Sequence, residues 1–149
     1  MSTKLKIYLA CAIHGSDPEF SFRNVVASAL VSSGHEVVRF FSDLPEGQRE
    51  GKNIYLFDMA RVAESDVVVA ILDKGSTGVG MELRQAADCS IPVVLFSRNL
   101  SAVSGITRDY LACRKMPDPI ALPEDSGEAL RELLARLPGA LASAGVRVA

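Results

Sequence analysis

Residues 76–83 (STGVGMEL) place hydroxyls, two glycines and one carboxylate in a single short stretch. Because the stretch follows the apolar run 67–72, it predicts a buried strand, a glycine-bearing turn and a helix whose first turn carries the carboxylate. Each glycine costs about 1 kcal/mol relative to alanine inside a helix, so the pair favours a place where a ligand comes close to the backbone. Helix N-termini bind anions. We therefore expect Ser76, Gly78 and Gly80 to cradle a phosphate, and Glu82 to meet the sugar of a nucleotide.

Two carboxylates are candidates for chemistry on that sugar. A glutamate at position 82, in the first turn of a helix, would be stabilised as the anion by the helix dipole, and an anion suits attack on an electron-poor carbon. Asp58 lies on the preceding predicted helix, and two carboxylates across a glycosidic bond are the usual equipment for cleaving it. Glutamates are also common at helix starts for the dipole alone, and Asp58 also fits a solvent-facing position of an amphipathic helix. Spacing leaves both interpretations open.

The remaining polar candidates have ordinary alternatives as well. Tyr8 lies in the first predicted strand, where it could pack in the core or hydrogen-bond the nucleophile or the leaving group. Ser76 could be a plain N-cap of the following helix. Spacing gives Ser104 no role, and His14, in a turn, resembles a solvated loop residue.

The order of elements along the chain explains how these residues could meet. Short apolar runs alternate with helical patterns, which predicts an α/β fold with a parallel sheet covered by helices on both faces. Strands are predicted at 6–11, 36–41, 66–72, 91–96 and near 119–122, and helices at 20–33, 53–64, 78–89, 101–113 and 126–141. Five such strands suit the flavodoxin or Rossmann-like order 2-1-3-4-5. Ligands of such sheets bind where the strand order reverses, here between the loops that follow Cys11 and Leu72.

Composition narrows the class of protein further. The chain has 149 residues, 48% of them hydrophobic and 23% charged, which favours one domain over residues 1–149 with a loose tail from 142 to 149. A net charge of -2 gives no electrostatic footprint for nucleic acid, and no apolar run is long enough to cross a membrane. The three scattered cysteines show no metal-ligand spacing and, with no secretory signal at the start, favour the cytoplasm. Neither a dinucleotide fingerprint nor a metal motif is present, so no cofactor and no metal are expected.

With these residues in view, the chain resembles the nucleoside 2-deoxyribosyltransferase superfamily, and within it the branch of 2'-deoxynucleoside 5'-phosphate N-hydrolases. The resemblance covers roughly residues 5–112. Asp58, then 65–70 (SDVVVA) and then 76–83 fall without gaps on the pattern of that family. The spacing of carboxylate to strand and the Gly-x-Gly-x-Glu element are together fairly specific.

The resemblance implies roles for the candidate residues. Glu82 is then the catalytic carboxylate at the anomeric carbon, Asp58 the second acidic residue, and Tyr8 the tyrosine that supports catalysis. Ser76 and the backbone of Gly78 match the 5'-phosphate site.

Other matches bear on assembly and on specificity. Ser104 resembles a phosphate-contacting serine that the family supplies from a neighbouring subunit, which implies a homodimer with shared sites. Ile13 and His14 are the predicted nucleotide contacts in the loop after the first strand, and His14 takes the place of a family arginine that would meet the nucleotide. Met81 replaces an aromatic residue and Arg84 replaces a glycine. These departures concern substrate identity more than reaction type.

The expected function is therefore an N-glycosidase that hydrolyses (2'-deoxy)nucleoside 5'-monophosphates to free base and (deoxy)ribose 5-phosphate. Two alternatives stay open. A deoxyribosyltransferase would use the same glutamate and pass the sugar to a second base. A nucleotide-binding domain would keep the fold without turnover.

Overall fold

Strands and helices alternate along the chain in the computed structural model, which describes residues 3–13 and 18–147. Strands β1–β5 are Lys6–Cys11, Glu36–Val37, Val67–Ile71, Val93–Ser97 and Ile120–Ala121. Helices α1–α5 are Pro18–Ser32, Ile54–Ala63, Thr77–Asp88, Gly105–Cys113 and Ser126–Ser143. All strand pairs are parallel, and the order across the sheet is β2-β1-β3-β4-β5. The predicted fold class and strand order are confirmed.

The sheet separates two hydrophobic clusters, one on each face. Alternate residues of each central strand enter opposite clusters, as the pleat of a strand requires. In β1, Ile7 and Leu9 face the cluster that α1 and α5 cover, whereas Tyr8 and Ala10 face the cluster that α2, α3 and α4 cover. This alternation of side chains along β1 determines the face of the sheet on which the Tyr8 hydroxyl lies.

The second strand is shorter than the sequence predicts. Residues 36–41 read as one strand, but β2 ends at Val37 and a 3-10 turn occupies Phe41–Asp43. Asp43 accepts the N–H of Phe40 at 3.3 Å, and Asp58 accepts the N–H of Phe41 at 2.7 Å. A longer strand would need these two N–H groups for pairing with its neighbour. The β-branched and aromatic pattern could not show this competition.

Side-chain caps define the starts of four helices. Asn53, Ser76, Ser104 and Asp125 each accept a backbone N–H from the first turn of the helix that follows. At the other end of the chain, α5 takes in the first two residues of the segment expected to be loose, and Val146 packs against the cluster beneath α5. Among the described residues, no helix has the length and apolarity needed to span a membrane.

Candidate active site

A hydrogen bond between Tyr8 and Glu82 forms the centre of the site. In α3, Val79, Leu83 and Ala86 are buried against the sheet, and Glu82 lies beside this ridge, turned toward β1. The Tyr8 hydroxyl, on the same face of the sheet, donates to Glu82 Oε1 at 2.8 Å. Tyr8 is only 1% exposed, so the bond is shielded from solvent.

Glu82 is poised to change its protonation state near neutral pH. Burial raises the pKa of its carboxyl to about 7, and the nearby Asp58 adds to the increase. The Tyr8 hydrogen bond and the charge of Arg23 act in the opposite direction. The second oxygen, Oε2, is buried and has no hydrogen-bond partner among the described residues. One oxygen is thus held by Tyr8, and the other has its hydrogen-bonding capacity unused within the described part of the chain.

The position of Glu82 on α3 differs from the sequence prediction. The helix begins at Thr77 after the Ser76 cap, so the carboxylate lies in the second turn, and the first turn holds no acidic residue. The helix dipole acts mainly on groups within the first turn. The predicted stabilisation of the anion by the dipole is therefore wrong, because desolvation dominates and the pKa is raised.

Asp58 is a half-buried residue held by the turn after β2. Its Oδ1 accepts the N–H of Phe41 at 2.7 Å. Burial raises the pKa of the carboxyl, the Phe41 bond lowers it, and the charge of Asp43 raises it. Since the charge of Asp58 acts on both Tyr8 and Glu82, the structure brings all three residues into one electrostatic unit. The solvent-facing alternative for Asp58 does not fit this placement.

Sequence reasoning missed a buried cation beside these carboxylates. Arg23 of α1 is 3% exposed and forms a two-pronged ion pair with Asp43, at 3.1 and 3.0 Å. Its guanidinium lies 4.4 Å from the ring centroid of Phe40. In sequence, Arg23 interrupts an apolar helical pattern, which is typical of a solvent-facing position, and the Asp43 partner lies 20 residues further along.

The predicted phosphate-binding residues surround the start of α3. Ser76 Oγ accepts the N–H of Val79 at 3.3 Å, so the serine is an N-cap. Gly78 and Gly80 lie within the first turns of α3 and are exposed, and neither has a positive φ. A Cβ added at Gly80 would meet nothing within 4 Å, and one at Gly78 would meet only the Ser76 hydroxyl at 3.7 Å. The packing of the described chain therefore does not itself require either glycine.

Ser104 and the carboxylates lie on different sides of α3. Ser104 caps α4 and lines a groove of about 610 Å³ between α3 and α4, together with Ser76, Gly80 and Met81. Glu82, Tyr8 and Asp58 do not line this groove. Within one chain, Ser76 and Ser104 are thus brought together, but Ser104 is not beside the carboxylates.

The loop after β1 is described only in part. Ile13 is partly buried and packs against the cluster that contains Tyr8. His14, the other predicted nucleotide contact there, lies outside the described residues. In the described ranges, no group of three or more His, Cys, Asp or Glu side chains is arranged to hold a metal ion.

Comparison with known sequences identifies two relatives of this chain. A protein of Methanosarcina mazei is 31% identical over 130 residues, covering 81% of this chain and 81% of its own length. A protein of Methanosarcina barkeri is 30% identical over 126 residues, covering 78% and 79%. Both are provisionally named 2'-deoxynucleoside 5'-phosphate N-hydrolase 1. No family model matches the chain.

Solved structures show the same fold at lower sequence identity. A CMP N-glycosidase of Clostridium botulinum superposes with a TM-score of 0.63 at 17% identity, covering 87% of this chain and 98% of its own. A 2-deoxyribosyltransferase of Bacillus psychrosaccharolyticus superposes with a TM-score of 0.60 at 19% identity, covering 82% and 88%. The fold is therefore shared with enzymes of both names.

Proposed function

Because the chain belongs to the 2'-deoxynucleoside 5'-phosphate N-hydrolase family of the nucleoside 2-deoxyribosyltransferase superfamily, we propose that it hydrolyses the N-glycosidic bond of nucleoside 5'-monophosphates. The favoured substrates are 2'-deoxynucleotides, which is the substrate class that the names of both relatives give. The products are free base and (deoxy)ribose 5-phosphate. The observation that carries the proposal is the buried Glu82 carboxyl, with one oxygen bonded to Tyr8 and the other unpartnered.

In the first half of the reaction, the sugar is transferred to the enzyme. The Glu82 carboxylate attacks C1' through Oε2, the C1'–N bond breaks, and its electron pair leaves with the base. Protonated Asp58 supplies the proton that neutralises the leaving base. Burial raises the pKa of Asp58, and a higher pKa favours the protonated form that this role requires.

In the second half, water releases the sugar. The Asp58 carboxylate takes a proton from a water molecule, whose oxygen bonds to C1' while the bond from C1' to Glu82 breaks. Glu82 returns to the anion and Asp58 to the acid, so the cycle balances. Tyr8 donates to Oε1 throughout, which stabilises the anion that leaves C1'.

Phosphate binding would orient the sugar for this attack. The exposed N-terminus of α3, with the Ser76 hydroxyl and the backbone of Gly78, offers a favourable dipole and backbone N–H groups for an anion. The N–H of Gly80 donates to the Ser76 carbonyl at 3.2 Å, so Gly80 contributes open space for a ligand and not a donor. Energy from binding a remote phosphate can be used to align C1' with the nucleophile. Ile13 and His14 would contact the nucleotide from the loop after β1.

We also propose that two copies of the chain share their sites. Met81 and Ile106 are 49% and 81% exposed and both line the groove between α3 and α4, where they form an apolar patch of the kind that interfaces cover. A second copy seated there would cover both side chains and bring its own Ser104 toward the phosphate site. The cytoplasm remains the proposed location, and all three cysteines are free, as a reducing compartment would keep them.

The test is a panel of ribo- and deoxynucleoside 5'-monophosphates incubated with the protein, followed by chromatography of base and sugar phosphate. We expect base and deoxyribose 5-phosphate in equal amounts without any added acceptor. Product that forms only when a second free base is present would show a transferase instead. Tight nucleotide binding by calorimetry, with no base released over hours, would show a binding domain.

A further inference from the structure

The Arg23–Asp43 ion pair is linked through neighbouring residues to both carboxylates of the site and is itself nearly buried. The side chains of Arg23 and Asp43 are 4% and 21% exposed. Both terminal nitrogens of the guanidinium donate to the two carboxylate oxygens, so the pair has one fixed orientation. A buried pair of this kind stabilises a fold only weakly compared with an apolar pair of similar size, which suggests a further role.

The cationic end of the pair is connected to Glu82. The Arg23 guanidinium stacks 4.4 Å from the centroid of the Phe40 ring, and that ring contacts Tyr8, with centroids 6.5 Å apart. Tyr8 in turn donates to Glu82 at 2.8 Å. Burial raises the pKa of Glu82 and that of Tyr8, and the charge of Arg23 acts against this increase in both.

The anionic end of the pair is connected to Asp58. Asp43 accepts the N–H of Phe40, and the next residue, Phe41, donates its N–H to Asp58. One 3-10 turn therefore contains Asp43 and donates a backbone N–H to Asp58. The charge of Asp43 raises the pKa of Asp58.

We propose that the Arg23–Asp43 pair is a positioning device for the catalytic carboxylates: its cationic end favours the anion of Glu82, and its anionic end favours the protonated form of Asp58. The charged and titratable groups that act on Glu82 come from three elements: Tyr8 from β1, Asp58 from α2 and Arg23 from α1. Separating the protonation states of two neighbouring carboxyls is how one site obtains both a nucleophile and an acid. The assignment of a nucleophile and an acid rests on the proposed function, whereas the electrostatic effect does not.

The test compares the wild type with the double variant Arg23→Met/Asp43→Asn, which leaves no unpaired buried charge. The single variants would each leave one, and could fail to fold for that reason. NMR titration of the ¹³C-labelled carboxyls of Glu82 and Asp58 reads both protonation states without any need for activity. We expect the Glu82 titration to move to higher pH and the Asp58 titration to lower pH, each by roughly half to one pH unit.

A matched control is available on the opposite face of the sheet. Arg98 pairs with Asp73 at 2.6 Å and stacks 4.1 Å from the centroid of Phe22, so it repeats the same construction. The variant Arg98→Met/Asp73→Asn should leave the Glu82 and Asp58 titrations where they are in the wild type. If the Arg23 and Asp43 double variant also leaves them there, or moves both in the same direction, the proposal is overturned.

Enzyme kinetics separate this proposal from the proposed function. In the Arg23 and Asp43 double variant we expect the pH profile of kcat to narrow, with kcat at its optimum reduced roughly tenfold and KM changed less than about twofold. A wild-type protein that releases no base from any nucleotide would contradict the proposed function alone, since the NMR titrations would still decide the effect of the ion pair. An unchanged pH profile in an active enzyme would contradict the positioning role.

Discussion

Replacing Glu82 with glutamine should make the folded protein more stable at high pH, relative to the wild type, than the same replacement does at low pH. In the folded state the pKa of the carboxyl is about 7, compared with 4.5 for an ordinary glutamate. The folded protein therefore holds a proton that the unfolded chain releases. The resulting stability is fully present below pH 4.5 and is lost as the pH rises through about 7. Glutamine cannot ionise, so the Glu82→Gln variant avoids this loss.

The magnitude follows from the two pKa values. Each pKa unit corresponds to about 1.4 kcal/mol, so ionisation of Glu82 opposes folding by about 3 kcal/mol at pH 8 and by almost nothing at pH 4. The amide also adds a pH-independent cost, because its NH₂ occupies the place of the unpartnered Oε2. Because this cost is the same at pH 4 and at pH 8, it does not contribute to the change in relative stability between the two pH values.

Urea denaturation of wild type and variant at a series of pH values measures this difference. We expect the free energy of unfolding of Glu82→Gln, relative to the wild type, to increase by about 3 kcal/mol from pH 4 to pH 8. The control is Glu50→Gln at an exposed position, which should change by less than about 0.5 kcal/mol at either pH. A Glu82→Gln effect that is the same at pH 4 and pH 8 would refute the burial argument.

Three further substitutions test separate parts of the site. Tyr8→Phe removes the hydrogen bond that lowers the pKa of Glu82. The rise of kcat on the acidic side of its pH profile should therefore move to higher pH, and kcat at pH 6 should fall roughly tenfold. An unchanged acidic side of the profile would contradict this. Ser76→Ala should raise KM for a nucleotide roughly tenfold and leave KM for the matching nucleoside almost unchanged. The loss of the helix cap should also lower stability by about 1 kcal/mol. Asp125→Ala removes the cap of another helix, so it should lower stability similarly without changing KM. Ile106→Lys should convert the proposed dimer to monomers in sedimentation velocity, and a wild type that already sediments as a monomer would reject the shared site.

The sheet could be predicted from the sequence because burial on both faces leaves a simple pattern. A parallel sheet follows from the β-branched run in β3 and from the alternation of strands with helical segments. In such a sheet the loops after β1 and β3 lie at the same edge. The motif at the start of α3 then indicated Glu82. Both arguments use residues close together in sequence.

The electrostatics of the site could not be predicted in the same way. Whether Glu82 is stabilised as an anion depends on its turn of the helix and on how Tyr8 and the sheet bury it, and the dipole argument failed for that reason. The sequence pattern predicts that Arg23 is a surface residue, whereas in the structure it is buried in contact with Asp43 and Phe40. Such long-range contacts leave no periodic signal in the chain.

The most direct test of the central claim is the rate of base release from a 2'-deoxynucleoside 5'-monophosphate by the wild type and by Glu82→Ala at equal concentration. If Glu82 attacks C1', the wild type should release base and the variant should be slower by roughly a thousandfold or more, while both remain folded. Equal rates of base release from the two proteins would contradict the account, because the carboxyl held by Tyr8 would then have no part in breaking the bond.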